Sequence, residues 1–415
     1  MAYDNGVVFC GMIVAAGLCI TSFTAAAAAA QEELPTAYRV PDEPKLEIGS
    51  VDEPGSSLFG VTDAIVLRDS RILVADGGSR TLKFFDARGG FLSSLGRSGD
   101  GPGEFRSLYR IAEFDDGKIA ALDPMLGRVT VFSADGGLEE TYQISRQFNE
   151  IGQRTRLFGF LANGTLVGIE EVEGQGVEMH YGDYPSSVLT YRAPVVQPVF
   201  VDLDGRTVPF ARPVPGSQTV SEIRSSVGSG SIRVGGGLVS VPFLRSLQIA
   251  VRGDWIALGP IDKYLVGAFG ADGAPRAFFG GPPPNETPEG AHEAWLDRQV
   301  AKFARRSERS EWRDRYEEFL SSDLAPATLP SFKSLAIQDD GIVWREVYEP
   351  TLTDYDPSLW IVNDPSRAGG VVGTVTLPSG FRPYDIGRDY VLGVWRDELD
   401  IEFVQVYDLI ETPSE

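Results

Sequence analysis

The chain has 415 residues, a formal net charge of −22 and 42% hydrophobic residues. This apolar share is too high for a disordered chain, and 47 glycines with 27 prolines indicate a turn-rich, folded β protein. The acidity argues against a nucleic-acid partner, which needs a basic surface, and two histidines and two cysteines leave little material for a zinc enzyme or a thiol nucleophile.

The N-terminal segment, residues 1–30, is largely apolar and ends in an alanine run. Such a stretch followed by small residues is typical of a secretory signal peptide, which we expect to be cleaved near Ala30. The segment departs from that pattern because it carries Asp4 and no Lys or Arg before its apolar core, and an uncleaved membrane anchor is the alternative. We therefore expect export to the periplasm, the cell envelope or the medium, with membrane contact only through this segment.

Residues 71–90 and 118–137 align without gaps at an offset of 47 positions. Identical pairs include Asp76 with Asp123 and Phe85 with Phe132, and most other positions exchange similar residues. Each unit contains four short, mostly apolar segments separated by glycine-rich turns, a pattern that predicts four β-strands. Four-stranded units that repeat at this spacing are typical of propeller blades.

Similar units continue to residue 410, and we count six blades, or seven if residues 157–245 contain two. The last unit, 382–410, has only three evident strands. A strand at 45–51 could supply its fourth strand and close the ring, which would remove an unpaired sheet edge. The sequence thus predicts an all-β, six-bladed β-propeller over residues 58–415, preceded by an arm, 31–57, that carries the closing strand.

The β pattern is interrupted at residues 285–325. Aromatic and aliphatic residues recur here at helical intervals, with a start signal at Pro288 and a stop at Pro326. We predict one long or two short amphipathic helices inserted between blades 4 and 5. Connections between blades lie on the top face of a propeller, so we expect the insert over one mouth of the central channel. It could pack on a blade, or it could serve as a lid or docking element.

The sequence GRSGDGPGEF at 96–105 resembles the loop signature of NHL-repeat and related six-bladed propellers, G-x-x-G-x-G-P-G-x-F. The likeness is specific over residues 60–140 and weaker over the later blades. It implies a six-bladed propeller in which Phe105 packs between adjacent blades. It does not imply one activity, because such propellers include ligand-binding and protein-binding scaffolds, lyases and lactonases.

Candidate ligand-binding residues lie in the predicted top-face connections. Asp76 and Asp123 end equivalent strands and are either turn formers or ligands of a shared axial site, with calcium the one cofactor considered. Neighbouring arginines could bind an anionic ligand through paired hydrogen bonds, or could bond nearby carboxylates. The candidates in this part of the chain are Asp76, Arg80, Arg97, Asp100, Glu104, Asp123 and Arg128.

A Trp-Arg-acid pattern occurs twice, at Trp344-Arg345-Glu346 and at Trp395-Arg396-Asp397. Two indoles near one opening could form a stacking wall for a flat ligand, or they could pack between blades. The four residues Trp344, Arg345, Trp395 and Arg396 complete the candidate set.

No complete catalytic set is evident. The chain has no Gly-x-Ser-x-Gly elbow, and neither His180 nor His292 has a partner histidine at ligand spacing. The expected function is that of a monomeric, exported, non-catalytic propeller that binds a ligand or a protein partner on its top face. The alternative is a propeller hydrolase or lyase that uses axial carboxylates and a divalent cation.

Overall fold

The computed structural model describes most of the chain from residue 34 onward. The described residues are 34–49, 55–144, 155–181, 187–228, 231–239, 241, 243–281, 286–288, 290–301, 313–314, 316–317, 319–349, 356–367, 370–397 and 399–412. The predicted signal peptide or anchor lies outside them. No helix within these ranges is long and apolar enough to cross a membrane.

Two short strands come first, β1 (Tyr38–Arg39) and β2 (Leu46–Ile48). The first large sheet contains β3 (Val61–Val66), β4 (Ile72–Asp76), β5 (Thr81–Phe85) and β6 (Phe91–Leu95). The second contains β7 (Arg110–Glu113), β8 (Ile119–Asp123), β9 (Arg128–Phe132) and β10 (Leu138–Gln143). The third contains β11 (Thr155–Phe160), β12 (Leu166–Tyr181), β13 (Ser187–Val201), β14 (Thr207–Pro209), β15 (Val214–Pro215), β16 (Thr219–Gly228) and β17 (Ser231–Val239).

Three more large sheets follow. The fourth contains β18 (Leu247–Arg252), β19 (Trp255–Pro260), β20 (Val266–Gly270) and β21 (Pro275–Phe279), and helix α1 (Ala291–Val300) comes after it. The fifth contains β22 (Leu335–Ile337), β23 (Val343–Glu346), β24 (Ser358–Asn363) and β25 (Val371–Leu377). The sixth contains β26 (Phe381–Ile386), β27 (Tyr390–Arg396), β28 (Glu402–Asp408) and the early strand β2, and a last strand, β29 (Ile410–Glu411), pairs with β1.

The predicted all-β propeller is confirmed. The first strand of each sheet contacts the first strands of the sheets before and after it, and β26 returns to contact β3. The first strands therefore surround a common axis, and the six sheets are six blades, numbered here in chain order. Strands β11 to β17 form a single sheet, so the seventh blade considered from the sequence is not present in the described chain.

The apolar core lies between the blades. Six clusters of buried side chains each combine residues from two neighbouring sheets, including blades 6 and 1. Middle strands are covered on both faces, so β4 and β8 are buried along their whole length. This explains why their sequences, ILVAD and IAALD, are nearly continuous apolar runs and do not alternate with polar residues.

The early strand β2 completes blade 6. It pairs antiparallel with β28, with Leu46 opposite Val406 and Ile48 opposite Val404. Ile48 is 1% exposed and packs in the cluster between blades 6 and 1. The unpaired edge of a three-stranded last blade is thereby covered by a strand from the other end of the chain.

Blade 3 carries a long extension above the top face, defined here as the face at which the inner strands begin. Thr155 at the start of β11 pairs with Glu170, so the rest of β12 extends beyond the inner strand, and β16 and β17 pair onto this extension. Buried side chains of the helical insert, including Trp295 and Phe319, pack against Leu189 and Tyr191 of the extension. The helical insertion between blades 4 and 5 is therefore confirmed, and its described residues pack on blade 3 without lining the central channel.

Candidate functional site

The six inner strands surround a central channel of about 1370 Å³. All six blades contribute to its wall, and the wall contains charged, tyrosyl and apolar side chains together. A cavity on which polar, charged and apolar side chains converge is the default candidate for a ligand site. The channel is therefore the candidate site, and its charged groups form two clusters, one toward each end.

At the lower end, neighbouring blades are tied together through the turns that follow the inner strands. The Arg68 guanidinium donates to the Asp115 carboxylate at 2.8 Å, which joins blades 1 and 2. The Asp115 N–H donates to the Ala162 carbonyl at 2.9 Å, and the Ala162 N–H donates to the Gly253 carbonyl at 2.9 Å. These bonds connect the lower turns of blades 1 to 4 in one continuous series.

Arg252, at the lower end of β18, extends this series to blades 5 and 6. Its guanidinium pairs with Asp339 at 2.7 Å and forms an ion pair with Asp385. Asp385 is fully buried, and it also accepts the Val66 N–H at 2.8 Å and the Tyr390 hydroxyl at 2.9 Å. The Asp385 carboxylate thus satisfies a backbone donor on the free edge of blade 1 and compensates the Arg252 charge.

The upper cluster is centred on Asp63 of β3. Its carboxylate accepts the N–H of Ala64 at 3.1 Å and that of Ile111, in blade 2, at 3.0 Å. Burial raises the pKa of Asp63, and the nearby charges of Arg110 and Arg252 oppose that rise. A buried carboxyl group with a raised pKa in a channel is a feature often found at functional sites.

Two arginines face this cluster without a carboxylate partner among the described residues. Arg110 of β7 is half-buried, and it donates to the Phe158 carbonyl at 3.1 Å and the Thr62 carbonyl at 3.2 Å. Arg382 of β26 is exposed and lies over the Tyr384 ring, 5.4 Å from its centroid. Two guanidinium groups without a carboxylate in ion-pair contact, beside a buried carboxyl whose pKa is raised, make the upper end of the channel a region suited to anions.

Tyr384 connects the members of the upper cluster. Its hydroxyl donates to the Val61 carbonyl at 2.9 Å, which fixes it beside blade 1. Burial raises the pKa of Tyr384, and the charges of Arg382 and Arg110 act in the opposite direction. Side chains from blades 1, 2 and 6 therefore converge at one place in the channel.

Of the predicted site residues, only Arg396 belongs to the channel wall in the described chain, and the acidic candidates Asp76 and Asp123 lie on the top-face turns. Asp76 accepts the N–H groups of Phe59 and Ser79 at 3.3 and 3.1 Å and pairs with Lys83 at 2.8 Å. Asp123 makes the equivalent contacts in blade 2, accepting the N–H groups of Arg106 at 2.7 Å and Leu126 at 2.9 Å. Both carboxylates are fully buried, and each connects its own turn to the incoming connection from the preceding blade.

The glycine-rich loop 96–105 is held together by the other polar candidates. Arg128 is buried and donates to the carbonyls of Asp100 and Gly101, both at 2.8 Å, and also to that of Glu104. The remaining side chains close the loop from outside: Arg97 pairs with Glu104 at 2.7 Å, Asp100 pairs with Arg106, and Arg80 donates to the Arg106 carbonyl at 3.0 Å. Phe105 is fully buried in the cluster between blades 1 and 2.

The two Trp-Arg-acid motifs also occupy packing positions. Trp344 is fully buried, with its ring 5.8 Å from that of Tyr38 and 6.3 Å from that of Trp360. Trp395 is partly exposed and donates to the Ser379 carbonyl at 3.1 Å. Arg396 pairs with Glu402 at 2.6 Å and belongs to the channel wall, whereas Arg345 is buried away from it.

Sequence reasoning missed Arg110, Arg252, Arg382 and Asp63. Each lies in the first strand of its blade: Asp63 in β3, Arg110 in β7, Arg252 in β18 and Arg382 in β26. The first strand of a propeller blade is the one nearest the axis, so its charged residues are the natural candidates for the channel wall. A charged residue within an otherwise apolar first strand is therefore the sequence signal for a channel-lining position.

Within the described chain, no three His, Cys, Asp or Glu side chains come together as a metal-binding group.

Comparison with known proteins supports the fold. Residues 54–153 match a family described as a 6-bladed beta-propeller. No curated protein matches the sequence.

Solved structures that resemble the chain include enzymes and candidate exported proteins. A candidate exported protein from Bacteroides fragilis is 11% identical, with 92% of this chain and 96% of that chain covered and a TM-score of 0.46. A member of the DUF4221 family from Bacteroides vulgatus is 8% identical, covering 91% and 99%, with a TM-score of 0.49. The PQQ-bound aldose sugar dehydrogenase from Streptomyces coelicolor is 12% identical, covering 91% and 99%, with a TM-score of 0.41.

Proposed function

We propose that this protein is an exported propeller that binds an anionic small molecule in its central channel, reached from the top face. The observation that carries the proposal is the pair Arg110 and Arg382. These two guanidinium groups come from blades 2 and 6, share the neighbouring Tyr384, and have no carboxylate partner among the described residues. In a chain of net charge −22, two guanidinium groups inside a cavity that make no ion pair with a described carboxylate favour a ligand that supplies negative charge.

The channel lining supports a ligand with an apolar or aromatic part as well. Phe158 and Tyr384 lie on the wall beside the two arginines, and Tyr390 lies on it toward the lower end. Aromatic faces favour rings and aliphatic groups through apolar contact. Access from the top follows from the lower turns, which are joined by hydrogen bonds from blade 1 to blade 4 and by Arg252 to blades 5 and 6.

The test is calorimetric titration of the protein with citrate and with inorganic phosphate, compared with uncharged glucose. We expect an anion to bind and glucose not to bind. Arg110→Gln and Arg382→Gln should each weaken anion binding by about 10-fold or more, because a hydrogen bond to a charged group contributes about 1.5–3 kcal/mol. Arg97→Gln is the matched control, since Arg97 is 80% exposed on the glycine-rich loop and is paired with Glu104.

Two results would contradict the proposal. One is an affinity for citrate and phosphate that is unchanged in the Arg110→Gln/Arg382→Gln double variant. The other is turnover of lactones, esters or sugars by the purified protein. Turnover that Asp63→Asn abolished would favour the alternative, a hydrolase or lyase, because Asp63 is the buried channel carboxyl whose pKa is raised.

We also propose that the chain reaches its location through residues 1–30. The support is the apolar segment with its terminal alanine run. Expression of the full chain in a Gram-negative host should yield a secreted or periplasmic protein whose intact mass corresponds to a start near Gln31. A membrane-bound protein of full-length mass would instead identify the segment as an anchor.

A further inference from the structure

Arg345 is a buried cation with few partners. It lies on β23, is 5% exposed, and makes one hydrogen bond, from its Nε to the Asn363 Oδ1 at 2.9 Å. No carboxylate among the described residues forms an ion pair with it. Burial lowers the pKa of the Arg345 guanidinium to about 10, which indicates that surrounding charges do not compensate for the lost hydration.

Other buried cations of the described chain are better satisfied. Lys83 pairs with the Asp76 carboxylate at 2.8 Å and also donates to the Ser57 carbonyl. Arg128 donates to three carbonyls of the glycine-rich loop. Burying a charge without a compensating partner lowers the stability of the folded state. An anion bound to the Arg345 guanidinium, which has a single hydrogen bond, would therefore stabilise the protein.

A glycine, Gly281, lies beside the Arg345 guanidinium. A Cβ placed on Gly281 would lie 3.1 Å from the Nη1 atom of Arg345 and 3.8 Å from the Cβ atom of Tyr264. A Cβ placed on Gly280 would meet no atom within 4 Å, so open space adjoins the position. The absence of a side chain at Gly281 leaves the Nη1 atom of Arg345 uncovered on the side of blade 4.

We infer that Arg345, Gly281 and Tyr264 form a second anion site, between blades 4 and 5, that takes a single oxyanion group such as a carboxylate or a phosphate. The site is separate from the channel, because Arg345 does not belong to the channel wall and faces blade 4. This inference therefore goes beyond the proposed function and does not depend on it. The planar guanidinium presents its Nη atoms as paired donors, the arrangement that suits an oxyanion.

The experiment measures the melting temperature in sodium phosphate, sodium acetate and sodium chloride at equal ionic strength. It is carried out in the Arg110→Gln/Arg382→Gln background, so that the channel does not contribute. We expect phosphate, acetate or both to raise the melting temperature above the value in chloride by about 2 °C or more, because a ligand that binds only the folded state stabilises it. A response to acetate alone identifies a carboxylate site, and a response to phosphate alone identifies a phosphate site.

Three further variants in that background test the assignment. Arg345→Met and Gly281→Val should both abolish the oxyanion response, the first by removing the donors and the second by occupying the approach to them. Gly280→Val is the matched control and should keep the response, because its side chain would enter open space. The inference is overturned if neither oxyanion stabilises the protein beyond chloride, or if the response survives in either Arg345→Met or Gly281→Val.

Discussion

Replacement of Trp344 by alanine is expected to lower the free energy of unfolding by about 3–5 kcal/mol, the range found for buried Trp-to-Ala changes. Trp344 is fully buried: it packs in the cluster between blades 5 and 6 and stacks on Tyr38 of the N-terminal arm. The cavity left by the indole would loosen both contacts at once. Urea denaturation followed by circular dichroism measures the change.

The second motif supplies the control. Trp395 lies near the end of β27 in blade 6 and is partly exposed, so Trp395→Ala should cost only about 1 kcal/mol. If Trp344→Ala were as mild as Trp395→Ala, the packing role assigned to Trp344 would be wrong.

Replacement of Arg252 by methionine is expected to cost about 3–5 kcal/mol, because it leaves the Asp385 carboxylate buried and without its counter-charge. The same denaturation experiment measures the loss. The Arg276→Met variant is the control, since Arg276 pairs with Asp272 on the surface, where an ion pair contributes about 0–1 kcal/mol.

A double variant separates the charge from the packing. In Arg252→Met/Asp385→Asn, the buried negative charge is removed while an oxygen remains to accept the Val66 N–H. Most of the lost stability should return. If the double variant were no more stable than Arg252→Met alone, uncompensated charge would not be the cause of the loss.

The blades were predictable because their sequences repeat the pattern of apolar strands and glycine-containing turns that a four-stranded blade requires. The strands of blades 1 and 2 align at an offset of 47 positions without gaps, and both contain a middle strand buried on two faces. Glycine at the turns also repeats, since Gly89 and Gly136 both have φ values, 85° and 91°, that favour glycine. Blade count and the position of the helical insert follow from these local signals.

The extension of blade 3 was not predictable in the same way. Its strands β12 and β13 continue far beyond the inner strand β11, and nothing in their alternation shows where the blade ends and the extension begins. The surface on which the helical insert packs could not be predicted either. Trp295 and Phe319 indicate only that the helices bury an apolar face. Which surface covers that face depends on contacts distant in sequence.

Prediction of the site identified residue types better than positions. Arginines were nominated for an anionic ligand, yet Arg128 and Arg97 hold the glycine-rich loop, while Arg110 and Arg382 face the channel. A guanidinium such as that of Arg128, which is satisfied by carbonyls 24 to 28 residues away, cannot be distinguished from an unpaired one without the fold. The role of Asp76 likewise required the fold. Its carboxylate accepts the Ser79 N–H within its own turn and also the Phe59 N–H in the segment that leads into blade 1.

The pairing of β2 with β28 has a consequence for how the molecule is made. Leu46 and Val406 are partners separated by nearly the whole chain, and β1 pairs with β29 in the same way. During synthesis, β2 is made early but has no partner until β28 leaves the ribosome. Blades 1 to 5 can therefore form while the ring of blades is still open. Contacts between such distant segments form slowly, and we expect the joining of the two ends to be the late, rate-limiting event of folding.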